Sequence, residues 1–230
     1  LDQKGWCVYL VWPIKKRRGK MSFDPHILPR DYLDHSYNQT LKNERCIEVP
    51  LGLRWVEGLE NGENLIEVGA VLPYYQPTQH QVVDLYDDKA TLKEDVMNVD
   101  YTSKNVLSIS TIEHIGTNDY TEGWGGVTDR TVVDKNTAIL ALKKILDESE
   151  SCFITIPIGY NPPLDKWLKE NVHLLNCFAY EKIQHYDKTA WPPALSPVWE
   201  FMIEDEEAFD AVYFSPYPSA NVVLVIQGWR

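Results

Sequence analysis

The stretch Leu65-Ile-Glu-Val-Gly69 reads as a short apolar strand ending on a glycine, and the pattern on either side of it sets the fold class. Upstream, Pro50 suits the first turn of an amphipathic helix in which Leu51, Trp55 and Leu59 recur at helical spacing, and Asn61-Gly62 stops it. Downstream, Val82-Val-Asp84 reads as a second strand, Leu92 to Val96 as a third, Val106-Leu-Ser-Ile109 as a fourth and Cys152-Phe-Ile-Thr-Ile156 as a fifth. A helix over roughly Asp134 to Asp147 separates the last two, with Ala138, Leu142, Ile145 and Leu146 as its apolar stripe. Strands alternating with helical stretches predict a parallel sheet built from βαβ units.

Beyond the fifth strand, Asn161-Pro162-Pro163 has the chemistry of an N-cap followed by first-turn prolines, opening a helix through Lys169. Asp210 to Phe214 and Asn221 to Ile226 are strand-like runs parted by Ser215-Pro-Tyr-Pro-Ser219, which predicts an antiparallel pair closing the sheet edge. The aromatic, proline-rich stretch around 177–197 reads as an insertion covering one side of the site. Residues 1–45 are expected to form an N-terminal arm and cover segment, and residues 46–230 a single domain.

The length, 230 residues, suits one α/β domain, and 44% hydrophobic with 24% charged residues excludes disordered and collagen-like classes. With 22 basic against 34 acidic residues the net charge is −12, which disfavours a nucleic-acid partner. The longest apolar run, Trp6 to Ile14, holds nine residues, too few for a transmembrane helix. It leads into Lys15, Lys16, Arg17, Arg18 and Lys20, readable as a weak surface contact with anionic lipid or phosphate, or as a solvated arm. Cys7, Cys46, Cys152 and Cys177 stand apart without metal-ligand spacing, so a reduced, cytoplasmic protein is expected. The chain starts at Leu1 rather than Met, which leaves an upstream segment open.

In an open parallel sheet, ligands bind at the carboxyl ends of strands, near the point where strand order reverses. The informative residues are therefore Glu67 and Gly69 after the first predicted strand, Asp84 after the second, Asp95 after the third, and Ser108, Ser110, Glu113 and His114 at the fourth. A turn glycine lets backbone approach a ligand. An acid closing the second strand can accept from two ribose hydroxyls, and one closing the third can accept from an adenine amine. One glycine without a Gly-rich run offers little cradle for a pyrophosphate, which favours an adenosine ligand without phosphates.

In their order, Leu65-Ile-Glu-Val-Gly69, Val83-Asp-Leu-Tyr86, Glu94-Asp-Val96, Leu107-Ser-Ile-Ser-Thr-Ile-Glu-His-Ile115 and Cys152-Phe-Ile-Thr-Ile-Pro-Ile-Gly159 resemble segments of class I S-adenosylmethionine-dependent methyltransferases. The resemblance covers roughly residues 45 to 170. It implies an α/β fold with a Rossmann-like, mostly parallel seven-stranded sheet, an antiparallel C-terminal strand pair and helices on both faces. It implies S-adenosylmethionine as cofactor, with Glu67, Gly69 and the adjoining Ala70 bordering its methionine end. Asp84 would hold the ribose with Leu85 packed on the adenine, Asp95 would meet the adenine amine with Val96 alongside, and Ser110 would lie beside the sulfonium. The first loop departs from the family, reading Gly69-Ala-Val-Leu-Pro-Tyr-Tyr75 where further glycines are usual.

His114 is a candidate general base for a hydroxyl or amine acceptor, since imidazole titrates near neutrality, and Glu113 stands beside it. Two metal-dependent groups of the family carry E-x-x-E-H here; the first position in this chain is Ser110, so one carboxylate is absent and no metal is expected. Asn161-Pro-Pro-Leu164 follows the fifth strand and ends in leucine, which separates it from the N-P-P-(Y/F) signature of nucleic-acid amino-methyltransferases. The loop Gly116 to Arg130, with Trp124 between glycines, is placed to act as a lid. Tyr160, Tyr180, Tyr186 and Trp191 suit an acceptor wall or a core. The expected reaction is methyl transfer to an oxygen or nitrogen of a small molecule or glycan. The glycine-poor first loop also fits a catalytically silent binding or scaffold subunit, and the absence of G-x-G-x-x-G argues against a nicotinamide oxidoreductase.

Overall fold

The computed structural model describes residues 25–59, 64–118, 132–184, 197–202 and 206–229. The apolar run Trp6 to Ile14, the cations Lys15 to Lys20, Asn61-Gly62, Trp124 with most of its loop, Tyr186 and Trp191 lie outside the described residues.

The strands are β1 (Leu65–Val68), β2 (Gln81–Val83), β3 (Asn105–Ile109), β4 (Ser151–Pro157), β5 (Cys177–Gln184), β6 (Val198–Met202) and β7 (Val222–Trp229), and the helices are α1 (Arg45–Glu57), α2 (Thr137–Glu148) and α3 (Pro162–Asn171). They form one seven-stranded mixed sheet in the order β2-β1-β3-β4-β7-β5-β6. Neighbours from β2 to β4 are parallel. The pairings of β4 with β7, β7 with β5 and β5 with β6 are antiparallel. The sheet is thus α/β and parallel through its N-terminal strands, with an antiparallel half that is larger than the strand pair read from the sequence.

Three sequence expectations are corrected. Leu92 to Val96 is not a strand: Leu92 alone bridges to Val83, and Val96–Asn98 is a 3-10 turn. The Thr91 hydroxyl accepts the Val82 N–H at 2.8 Å, and the Thr91 and Leu92 N–H groups both turn to the Val82 carbonyl, so no ladder can extend. Asp210 to Phe214 is not a strand either, because the chain coils at Glu206–Asp210 and Phe214 takes φ +67, which ends extension. Consequently β7 lies inside the sheet between β4 and β5, and its C-terminal-half partner, β5, comes from the stretch read as an insertion. Finally, Pro50 lies in the interior of α1, not in its first turn. The Cys46 carbonyl that Pro50 cannot serve instead accepts the Leu33 N–H at 2.9 Å, which removes part of the usual penalty of an interior proline.

Alternation along the strands feeds two cores. Ile66, Val106, Ile154 and Leu224 pack with Leu142 and Leu168 of α2 and α3. Leu65, Leu107, Phe153 and Val225 pack with Ile47 and Trp55 of α1 on the opposite face. Helices therefore cover both faces, the arrangement that buries a parallel sheet. Ile27 and Tyr32, upstream of α1, are buried in the second core. Cys46 and Cys152 are fully buried, and burial pushes both thiols up to about 12, so they act as small hydrophobes.

Candidate functional site

Strand order reverses between β1 and β3, since the chain leaves β1 for β2 on one side and then crosses to β3 on the other. In an open sheet the carboxyl ends of the strands flanking such a switch point are the expected place for a ligand. Gly69 follows β1 at φ +85, a conformation that suits glycine. A Cβ at this position would collide with the Thr111 side chain, so the close approach that Gly69 permits is to the chain leaving β3.

Glu67 is fully buried and shapes this loop from beneath. Its Oε1 accepts the N–H groups of Val71 (2.9 Å) and Leu72 (2.6 Å), and its Oε2 meets His80 Nε2 at 2.7 Å. It thereby holds the first loop in place.

Asp84, at the tip of β2, is half-buried. Its Oδ2 accepts the Ala70 N–H at 3.2 Å, and its Oδ1 accepts those of Tyr86 and Asp87 at 2.9 Å each. A carboxylate has about four acceptor positions, so these three bonds leave one on Oδ2. Leu85 is 45% and Tyr86 61% exposed beside it. Asp95 is exposed and caps the 3-10 turn through Met97 N–H at 2.8 Å; Val96 is half-buried and its carbonyl accepts from Tyr101 Oη at 3.1 Å. The Leu92 carbonyl takes the Asp84 N–H at 3.2 Å and leads the chain on to Asp95. Glu67, Gly69, Ala70 and Asp84 are thus brought together, while Asp95 and Val96 belong to a separate turn beyond the edge strand.

Ser110, just past the end of β3, turns its hydroxyl toward α1. It sits at φ +40, nearly fully buried, and its hydroxyl donates to Glu48 Oε1 of α1 at 2.5 Å. The half-buried residue that reaches Gly69 is its neighbour, Thr111. Arg45, also on α1, donates to the carbonyls of Ile109 (2.7 Å) and Ser110 (3.2 Å) and lies 3.9 Å from Glu48 Oε2. Glu48 is fully buried, and burial lifts its carboxyl to about 7 against the pull of Arg45.

Glu113 and His114 occupy the 3-10 turn after β3. Glu113 is 1% exposed, and neither carboxyl oxygen has a hydrogen-bond partner. Burial holds this carboxyl well above its ordinary range, and the nearby Glu48 and Glu44 push the same way. Its Oε1 is 3.6 Å from His114 Nε2, and its backbone carbonyl accepts from Asn161 Nδ2 at 2.9 Å. His114 is partly exposed and packs on Tyr160 at 4.5 Å between ring centroids. On the β4 side, burial lifts Asp165 to about 7, with the Gly159 N–H at 3.1 Å as its partner.

Arg45, Glu48, Thr111 and Asp165 escaped the sequence reading. A glutamate inside the apolar run Cys46-Ile-Glu-Val49 was the available signal, because an unpaired charge there demands buried partners. Tyr180, offered as wall or core, is core, and its hydroxyl donates to the Pro25 carbonyl. Among the described residues no group of three or more His, Cys, Asp or Glu is arranged to hold a metal, and no helix is long and apolar enough to cross a membrane. Comparison with protein-family models, with curated proteins and with solved structures gives no match to this chain.

Proposed function

We propose that this protein transfers the methyl group of S-adenosylmethionine to an oxygen or nitrogen of a small molecule or glycan. The observation that supports this most is Asp84. It is a half-buried carboxylate at the tip of β2, tied to the loop after β1 through the Ala70 N–H, with exposed Leu85 next to it. That pairing of an acceptor oxygen with an apolar surface suits a ribose and the base attached to it. In this reading Asp95 would meet the adenine amine, with Val96 alongside, from the separate turn that they open. A Rossmann-like sheet is part of this reading, and the reversal of strand order between β1 and β3 supports it.

The residues present fit the nucleoside end of the cofactor better than its methionine end, where Glu67 and Ser110 are occupied within the protein. When bound, the cofactor supplies a methyl group already activated on a sulfonium. The chain's task is then alignment of the acceptor and, for a poorly acidic hydroxyl, removal of its proton. His114 takes that proton. Glu113, whose carboxyl lies 3.6 Å from the imidazole, is held well above the ordinary carboxylate range by burial. The site belongs in a reducing, cytoplasmic setting, in keeping with Cys46 and Cys152 as buried thiols outside any disulfide. A net charge of −12 favours acceptors other than nucleic acid.

Calorimetry with S-adenosylhomocysteine tests the reading. The native chain is expected to bind it, and Asp84→Asn to bind at least about tenfold more weakly, as for loss of a charge-assisted hydrogen bond. No binding by the folded native chain removes the proposal. The catalytically silent alternative is favoured by one feature, the Thr111 side chain packed against Gly69. It predicts ligand binding without methyl transfer, read by mass spectrometry of candidate acceptors.

A further inference from the structure

The loops after β1 and β2 are joined by side chains in two places. Asp84 Oδ2 accepts the Ala70 N–H at 3.2 Å. Tyr74, closing the 3-10 turn Leu72–Tyr74, donates its hydroxyl to the Asp87 carboxylate, 3.0 Å from Oδ1 and 2.9 Å from Oδ2. The Asp87 N–H in turn donates to Asp84 Oδ1 at 2.9 Å, beside that of Tyr86. Tyr74 is itself fixed from the other side, because Glu67 Oε1 accepts the Val71 and Leu72 N–H groups that open its turn. Burial and the Asp87 carboxylate both raise the Tyr74 phenol, so it keeps the proton that this bond needs.

The chain leading into α1 comes down on the same residue. Tyr37 lies face to face on Tyr74, with 4.3 Å between ring centroids and 9° between planes, and stands edge-on to Tyr75 at 5.6 Å and 88°. The buried Thr40 hydroxyl donates to the Tyr37 carbonyl at 2.6 Å and meets Tyr75 Oη at 3.0 Å. Between them Asn38 and Gln39 take φ +52 and φ +47, a costly turn that the contacts of Tyr37 and Thr40 offset. Tyr37 and Tyr74 lie outside both cores, so what they hold is the pair of loops rather than the sheet.

We propose that Tyr74 is a positioning residue for Asp84, acting through Asp87, and that the Tyr37 ring clamps Tyr74 in that place. The inference rests on the methyl-transfer reading for the identity of the ligand at Asp84, but not for the link itself. Two of the three N–H groups that orient the Asp84 carboxylate belong to Tyr86 and Asp87, on the loop that the Tyr74 hydroxyl fastens. A carboxylate held in its binding orientation beforehand loses less freedom when a ligand arrives, so loss of the hydroxyl weakens binding rather than the fold.

Amide hydrogen exchange followed by NMR on the full chain tests the link without any ligand. Tyr74→Phe keeps the stacked ring and removes the hydroxyl. In it the amides of Ala70, Tyr86 and Asp87 are expected to exchange about fivefold faster, the scale of one lost hydrogen bond, while those of Val71 and Leu72 keep their rates. Tyr37→Leu removes the clamping ring and is expected to speed the same three amides; Tyr37→Phe keeps the ring and is expected to leave them at the native rates. Unchanged rates at the three amides in Tyr74→Phe, or equal acceleration at Val71 and Leu72, overturns the inference. Calorimetry with adenosine and with S-adenosylhomocysteine then reads the consequence for binding. Tyr74→Phe is expected to weaken both by the same factor, about fivefold, because Asp84 meets the part they share. Weakening of adenosylhomocysteine alone, or of neither ligand, overturns the inference. If the native chain binds neither, the methyl-donor reading falls, and the exchange rates by themselves decide whether Tyr74 positions Asp84.

Discussion

Ser110 stands at φ +40 with its hydroxyl on Glu48, and Gly69 stands at φ +85 against Thr111, so the two loops at the switch point are held by short-range constraints of different kinds. At Gly69 the constraint is steric. Gly69→Ala adds a methyl group where Thr111 already sits and imposes left-handed backbone on an alanine, and should cost at least about 1–3 kcal/mol in urea unfolding. At Ser110 the constraint is a hydrogen bond to a buried acid. Ser110→Ala strips Glu48 of that donor and should cost about 1–3 kcal/mol, while leaving adenosylhomocysteine affinity nearly unchanged because the side chain faces α1. A large loss of affinity in Ser110→Ala, with stability intact, would instead support the ligand contact that the resemblance implies. The side chain at that tip was legible as small and polar. Which of Ser110 and Thr111 turns toward Gly69 was not, because one left-handed residue reverses the alternation.

Among the elements, α3 follows its sequence most closely. Asn161 Oδ1 accepts the Leu164 N–H at 3.2 Å and Pro162 opens the helix, as the Asn-Pro-Pro sequence predicts. The same amide also donates to the Glu113 carbonyl, tying the start of α3 to the turn that bears His114. Asn161→Ala should therefore destabilise by about 2 kcal/mol, the upper end for a lost cap, and should also perturb the His114 resonances in an NMR spectrum. An effect on stability without any change at His114 would show that the tie to Glu113 is incidental. Helix α1 was readable only in part: Pro50 as a first-turn marker is sound local reasoning, but Leu33, a dozen or so residues upstream, supplies the donor that lets the helix run through it.

Across the whole molecule, the buried carboxyls at the carboxyl edge set an unusual dependence on pH. Glu48 and Asp165 are lifted from their ordinary range to about 7, and Glu113 is also raised. A native carboxyl with a raised pKa binds protons that the unfolded chain has already released, so stability falls as pH rises between the unfolded and folded values. Thermal unfolding should therefore show a higher Tm at pH 5 than at pH 8, with the decline from Glu48 and Asp165 running out about one pH unit above their value of about 7 and any decline beyond that due to Glu113. Repulsion within a chain of net charge −12 acts in the same direction. The double substitution Glu48→Gln, Asp165→Asn should flatten the slope between pH 5 and 7; a wild-type profile in that variant would assign the effect to charge repulsion instead.

By itself the sequence determined the parallel strands β1 to β4, the helices α2 and α3, and the placing of Asp84 at a strand tip, because each rests on local periodicity, a cap or a turn residue. Tertiary structure alone decided that β7 enters between β4 and β5, that Leu92 stops at a single bridge, and that Glu48 reaches Ser110 beneath the sheet. These depend on partners far apart in the chain. Whether a buried acid finds a donor, or a strand finds an open edge, is settled by what the rest of the fold brings beside it.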